Sequence, residues 1–294
     1  MTVKVLYGLD TEKPFGKFAE GEEGRIERES NLELIGRLND LMDMHNAGRT
    51  FFILGDYLDA SAHSLGSDHL RQVFSPENPL VEIAQHTYSH PVIAPIPTRP
   101  DKVPISLDEL RTELRKADRV LRDVLILDTI EGFRTPLGYA GGLHDNLTVL
   151  DALKEAGFTY ASSNLRDKDW GINPPLIENG KIRQPFIYNN GLVETPSHGW
   201  HDSAFTGTSK TNGTEGYPTT ADGIFEHYRD IFAQAGNITK RTGRGVYVGL
   251  VMHPWAVRRY DPNLTVLSRL LNFSQDNGFK TITHKQAANE VLSS

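Results

Sequence analysis

The chain has no cysteine. That excludes disulfides, thiolate catalysis and sulfur-ligated zinc, and it leaves any metal to be held by imidazoles and carboxylates. There is no apolar run of membrane-spanning length. The opening MTVKVLYGLD runs straight into a strand-like segment, without a charged and then apolar leader, so a cytoplasmic location is the expectation. The net charge of −7 is spread thinly, and neither nucleic acid nor a membrane is an expected partner. No Pro-, Ser- or Gly-rich linker and no repeat divides the 294 residues, which read as one domain, 1–294.

What is present is an alternation of strands and helices. Val3 to Leu9 and Thr50 to Leu54 are apolar runs with strand character, and the polar stretch from Thr11 to Glu29 reads as a loop. Leu32, Leu34, Ile35, Leu38 and Leu41 fall at helical spacing, and residues 64–84 read as mainly helical with a break at Pro76 and Pro79. Ser106 with Glu109 forms a capping box ahead of Leu110, Leu114, Ala117 and Leu121, which share one helix face. Further strands are expected at Thr129–Phe133, Tyr160–Ser162, Leu192–Glu194, Val246–Met252 and Lys280–Thr283, with helices near 145–156, 222–235 and 262–276. Such alternation predicts an α/β fold with a mostly parallel sheet, closed or partly closed into a barrel. Chemistry in such folds sits at the C-terminal ends of strands, where Asp10, Arg134 and His253 lie.

Five clusters can carry chemistry. Asp10 and Glu12 follow the first strand; alone, such a pair is more often a turn or a cap than a site. His86 and His90 are spaced i and i+4, which on one helical turn aims both imidazoles at a shared metal. Pro91 disfavours helix at His90. Arg134-Thr-Pro136-Leu-Gly138 places a guanidinium where it can keep a buried carboxylate ionised and fixed. Arg166-Asp167-Lys168-Asp169-Trp170 offers an acid and an aromatic wall, and Val251-Met252-His253 ends a strand on an imidazole. A strand-end histidine is more often structural than catalytic, whereas one paired with an aspartate suits a general acid of elevated pKa. The polar loop Glu194–Asp202 contains Trp200, whose ring could stack on a sugar.

In this order, the clusters resemble the five motifs of the polysaccharide deacetylases, the nodulation-type deacetylases of carbohydrate esterase family 4. The resemblance implies a distorted (β/α)7 barrel and a metal-dependent hydrolase that removes N-acetyl or other N-acyl groups from an amino-sugar substrate such as peptidoglycan or a chitin-like oligosaccharide. It implies His86 and His90 as metal ligands. The usual first motif has two adjacent aspartates, and here Asp10, Thr11 and Glu12 stand in their place. The similar peptidoglycan-deacetylase and allantoinase-like subgroup, with acids two positions apart, makes Asp10 the base and Glu12 the third ligand. Zn2+ is the default ion, with Co2+, Mn2+ and Ni2+ compatible with this donor set.

By the same resemblance, Arg134 holds Asp10, His253 protonates the leaving amine and Asp169 tunes His253. The backbone N–H of Leu137 holds the oxyanion, and Trp170 and Val251 wall the acyl pocket. Val251 stands where leucine is commoner and Leu137 where an aromatic is frequent. The subgroup implies a homo-oligomer. Two rival readings are a hydrolase of a small cyclic amide and a carbohydrate-binding barrel without turnover; the complete His86/His90 pair speaks against the first, and Asp10 with His253 against the second.

Overall fold

The structure, a computed structural model, describes residues 2–12, 21–207 and 215–293. Eleven strands alternate with nine helices among these residues. In chain order they are β1 (Val3–Thr11), α1 (Gly21–Met44), β2 (Arg49–Ile53), α2 (Gly55–Leu65), α3 (Ser67–Phe74), β3 (Val81–Gln85), α4 (Leu107–Leu125), β4 (Gly132–Ala140), α5 (Leu147–Glu155) and β5 (Tyr160–Arg166). Then come β6 (Ile177–Glu178), β7 (Lys181–Ile182), β8 (Phe186–Ile187), β9 (Val193–Glu194), α6 (Ala221–Thr242), β10 (Val246–Met252), α7 (Pro254–Tyr260), α8 (Thr265–Asp276), β11 (Lys280–Thr281) and α9 (His284–Leu292).

One curled sheet organises them in the order β10-β1-β2-β3-β4-β5-β9-β8. All neighbours in it are parallel except β8 and β9, which gives the expected (β/α)7 architecture. β11 adds to the first residues of β1. β1 and β2 are buried almost throughout, as strands covered on both faces must be, and this is why they read as continuous apolar runs rather than alternating ones. The helices cover the sheet with one apolar face each. α4 begins on the Ser106/Glu109 capping box and buries Leu110, Leu114, Ala117 and Leu121.

No ladder joins β8 or β9 to β10 among the described residues; side chains bridge that seam. The Gln184 amide accepts from Tyr247 N at 2.8 Å and donates to Tyr247 O at 2.9 Å, in the manner of a strand partner. His198 N donates to Gly249 O at 2.7 Å, while Gly249 N donates to His198 Nδ1 at 3.0 Å. A Cβ on Gly249 would lie 2.4 Å from Pro196 O, so the close approach needs glycine.

Three sequence expectations are corrected. Within 64–84, Val81–Gln85 is a central strand rather than helix end; a five-residue segment, VEIAQ, is too short for its periodicity to separate the two. Of the expected loop 11–29, the part from Gly21 onward is helix, with Arg25 paired to Glu22 and Glu29, and residues 13–20 lie outside the described residues. The His86–His90 segment is not a helical turn. Thr87 (φ 64°) and His90 (φ 63°) are both left-handed, an uncommon backbone for a β-branched residue and one associated with functional sites.

Candidate metal centre and acid–base site

The site lies at the C-terminal ends of β1, β3, β4 and β10. Asp10 and Glu12 follow from β1, where alternate residues of the strand end turn to the same side. The loop after β3 brings both histidines in. It is fixed from two sides: Thr87 O accepts from Gly55 N at 2.9 Å, and Glu113 of α4 accepts from Ser89 N at 2.7 Å and Tyr88 N at 3.1 Å. The result is a compact trio, with Glu12 Oε2 at 3.3 Å from His90 Nε2 and 3.8 Å from His86 Nε2. All three donor atoms lie within 4.8 Å of one another.

These residues fit a divalent metal ion. Ligand bonds of about 2.0–2.2 Å place the donors of one ion at separations of this order. His86 Nδ1 lies 2.9 Å from the carbonyl of Arg134, so that nitrogen carries the proton and Nε2 keeps its lone pair for the ion, the usual support for a metal-bound histidine. Burial lowers the pKa of His86 and takes that of His90 down to about 3, which keeps both rings neutral and able to bind. Two nitrogens and one carboxylate leave coordination positions for water and substrate.

Beside the trio are two buried ion pairs. Arg134 Nη1 donates to Asp10 Oδ1 at 2.6 Å. Burial alone would raise the Asp10 carboxyl, but the Arg134 guanidinium, with the His253 imidazole, holds it below its ordinary value. His253 Nε2 stands 3.8 Å from Asp10 Oδ2 and 3.7 Å from Glu12 Oε1. Its other nitrogen, Nδ1, donates to Asp202 Oδ1 at 2.6 Å, and its backbone N donates to Oδ2 of the same carboxylate at 2.7 Å. Burial pushes the imidazole down, but Asp202, Asp10 and Glu12 together raise it to about 9. The site therefore holds an ionised carboxylate and a protonated imidazole facing the same space.

That space is a cavity of about 110 Å³ lined by Asp10, Glu12, His86, His90, His253 and an apolar wall. Leu137, Leu165, Ile172 and Val251 form that wall. Leu137 (φ 68°) and Gly138 (φ 68°) are left-handed, and Arg166 Nε grips their carbonyls at 2.9 and 3.2 Å. This bends β4 inward at the cavity rim.

Three expected site residues are elsewhere. Asp169 does not touch His253: its side chain is 76% exposed and pairs with Lys168. In that loop the carboxylate turned to the backbone is Asp167, which accepts from Asp169 N and Gly171 N, and the partner of His253 is Asp202. Trp170 does not wall the cavity; it is half-buried with its ring edge-on to Tyr139 at 6.3 Å. Trp200 is no sugar platform, because it is buried in the core, with its carbonyl accepting from Tyr228 and its ring against Tyr217.

Residues 32–161 match the family described as Polysaccharide deacetylase. A comparison with curated proteins gives no match. Among solved structures, the chain is similar to a protein from Mycobacterium smegmatis assigned as a polysaccharide deacetylase, at 19% identity over 99% of this chain and 91% of that one, with a TM-score of 0.63. It is similar to Puue allantoinase at 13% identity, covering 99% and 90% of the two chains, with a TM-score of 0.66. An assigned polysaccharide deacetylase from Pseudomonas aeruginosa PAO1 gives 14%, 98%, 89% and 0.65. The stretch that supplies both histidines of the trio thus matches the polysaccharide deacetylase family model, and the chain as a whole shares the fold of these solved structures.

Proposed function

We propose that the protein is a metal-dependent hydrolase of carbon–nitrogen amide bonds, a deacetylase that removes N-acetyl groups from an amino-sugar substrate such as peptidoglycan or a chitin-like oligosaccharide. The observation that carries this reading is the single cavity in which Glu12, His86 and His90 converge beside an Arg134-held Asp10 and an Asp202-held His253. An amide hydrolase needs a base for the attacking water and an acid for the departing nitrogen. Here two environments push two groups in opposite directions, so both roles are filled at one pH.

Asp10 takes the proton of the attacking water, kept ionised for that task by Arg134. Glu12, His86 and His90 would hold a divalent ion, most simply Zn2+ with Co2+, Mn2+ or Ni2+ also suited to this donor set, and that ion would supply Lewis acidity for the hydrolysis. The Leu137 N–H, on the inward bend of β4, is the oxyanion donor; loss of one such donor costs about 2.7–4 kcal/mol in other hydrolases. His253 then gives its Nε2 proton to the leaving nitrogen while Asp202 fixes the ring. Leu137, Leu165, Ile172 and Val251 enclose the acyl group.

The test is acetate release from N-acetylglucosamine oligomers and from peptidoglycan, by protein stripped with a chelator and resupplied with zinc or cobalt. Activity that vanishes with the metal and returns with it supports the reading. Tight metal binding without acetate release from any sugar would overturn the amino-sugar assignment and move the substrate to a small cyclic amide.

A further inference from the structure

Beneath Asp10 the barrel interior is polar along one line, an unusual filling for a space that side chains normally pack with branched apolar groups. Arg134 is fully buried, with its guanidinium 4.0 Å from the Phe52 ring centre. Besides Asp10, it meets Ser162 Oγ at 3.2 Å and His284 Nε2 at 3.3 Å. His284 opens α9 and is buried. Its Nδ1 lies 3.2 Å from Thr50 Oγ1, which also accepts from His284 N at 3.0 Å. The Thr50 hydroxyl donates to Glu82 Oε2 at 2.8 Å, and Glu82 receives Tyr160 OH at 2.7 Å and Lys285 N at 2.9 Å.

Donor and acceptor inventories leave one arrangement of protons. A guanidinium can only donate, so the His284 nitrogen facing it must be bare. The ring's single proton then sits on Nδ1 and is given to Thr50, whose two acceptor sites are filled from His284 and whose own proton goes to Glu82. With the proton on Nε2 instead, two donors would face each other at 3.3 Å. A charged ring would also set a second cation against Arg134, and burial with the Arg134 charge holds the imidazole well below its ordinary pKa. Two glycines make room for this line: a Cβ on Gly8 would lie 2.3 Å from Arg134 Nη2, and one on Gly132 would lie 2.1 Å from Tyr160 OH.

We propose that His284 is a positioning residue for the reaction. Held as its neutral Nδ1–H tautomer by Thr50 and Glu82, it accepts from Arg134 and so fixes the guanidinium that orients Asp10. The part of this that concerns rate rests on the reading of Asp10 as the base; the tautomer does not.

The tautomer is read by long-range 15N–1H NMR of 15N-histidine-labelled protein, with the His284 signals identified by their loss in His284→Gln. The expected pattern is a neutral ring protonated on Nδ1 between pH 5 and 8. An Nε2–H ring or an imidazolium there would overturn the proposal. In parallel, acetate release by zinc-loaded His284→Leu should lose about 30-fold or more in kcat, with KM and zinc content unchanged. His284→Gln, whose amide oxygen can accept from Arg134, should recover most of that loss. A leucine variant within twofold of wild type, or a glutamine variant no better than leucine, would refute the positioning role. Should the leucine variant not fold, the wild-type NMR pattern still decides the arrangement. Should wild type release no acetate, the proposed function fails while the tautomer stands or falls separately.

Discussion

Replacing Asp202 with asparagine removes the anion that His253 Nδ1 bonds at 2.6 Å but keeps an oxygen for the backbone N. A hydrogen bond to a charged group contributes about 1.5–3 kcal/mol, and about 1.36 kcal/mol is one pKa unit. The His253 imidazole, raised to about 9 in the native site, should therefore fall by about one to two units. The sign follows from which form Asp202 favours: it stabilises the imidazolium, so its loss makes the acid give up its proton at lower pH. At pH 8.5 the protonated fraction drops from about three quarters to about one tenth for a fall of about 1.5 units. The assay is the pH profile of kcat/KM for acetate release by zinc-loaded protein, which reports groups of the free enzyme. Its basic limb should move down by one to two units in Asp202→Asn and stay in place in Asp169→Asn, because Asp169 is exposed and paired with Lys168. A basic limb unmoved in the first variant, or moved equally in both, would refute the assignment of His253 as the acid and Asp202 as its partner.

Further outcomes follow from the same geometry. Glu12→Ala should bind zinc about 100-fold or more weakly, since it removes a ligand rather than an outer-shell support; zinc content after dialysis against a graded chelator measures it. Arg134→Met leaves Asp10 buried without its partner and should destabilise the fold by about 3–5 kcal/mol at pH 7 in urea unfolding. The Asp10 carboxyl is held below its unfolded value, so the stability it adds is present above about pH 4 and lost as pH falls through the lower folded value; the difference between wild type and variant should narrow on acidification. Gly132→Ala would set a Cβ 2.1 Å from the Tyr160 hydroxyl and 2.3 and 2.6 Å from its ring carbons, displacing the ring from its bond to Glu82, and should cost about 1–3 kcal/mol in urea unfolding.

The parts of this molecule that the sequence made legible are those written in neighbouring residues. β1 up to Leu9 and β10 are mostly apolar because both faces are covered. The spacing of His86 and His90 points to a shared metal, although the histidines come together through left-handed backbone rather than a helical turn, whereas Asp10 and Glu12 gained meaning only beside the other clusters. Asp202 and His284 gave no such signal. Each is one polar residue in a polar stretch, and its partner lies 51 or 150 residues away, so only the closing of the barrel gives it meaning. Asp169 misled for the converse reason: an acid beside a tryptophan fits a motif, yet the loop turns its neighbour Asp167 inward instead.

The side-chain stitching between Gln184, His198 and β10 divides the catalytic constellation mechanically. Asp10, Glu12 and the two histidines ride on strands locked into continuous ladders, whereas Asp202 rides on the segment that leaves the stitched edge. His253 and Asp10 thus stand on the same bank, at the ends of the paired strands β10 and β1, and only Asp202 reaches His253 from across a join held by a few polar contacts. On the proposed mechanism, substitutions along that join can retune His253 through its Asp202 partner while leaving the Glu12, His86 and His90 trio untouched.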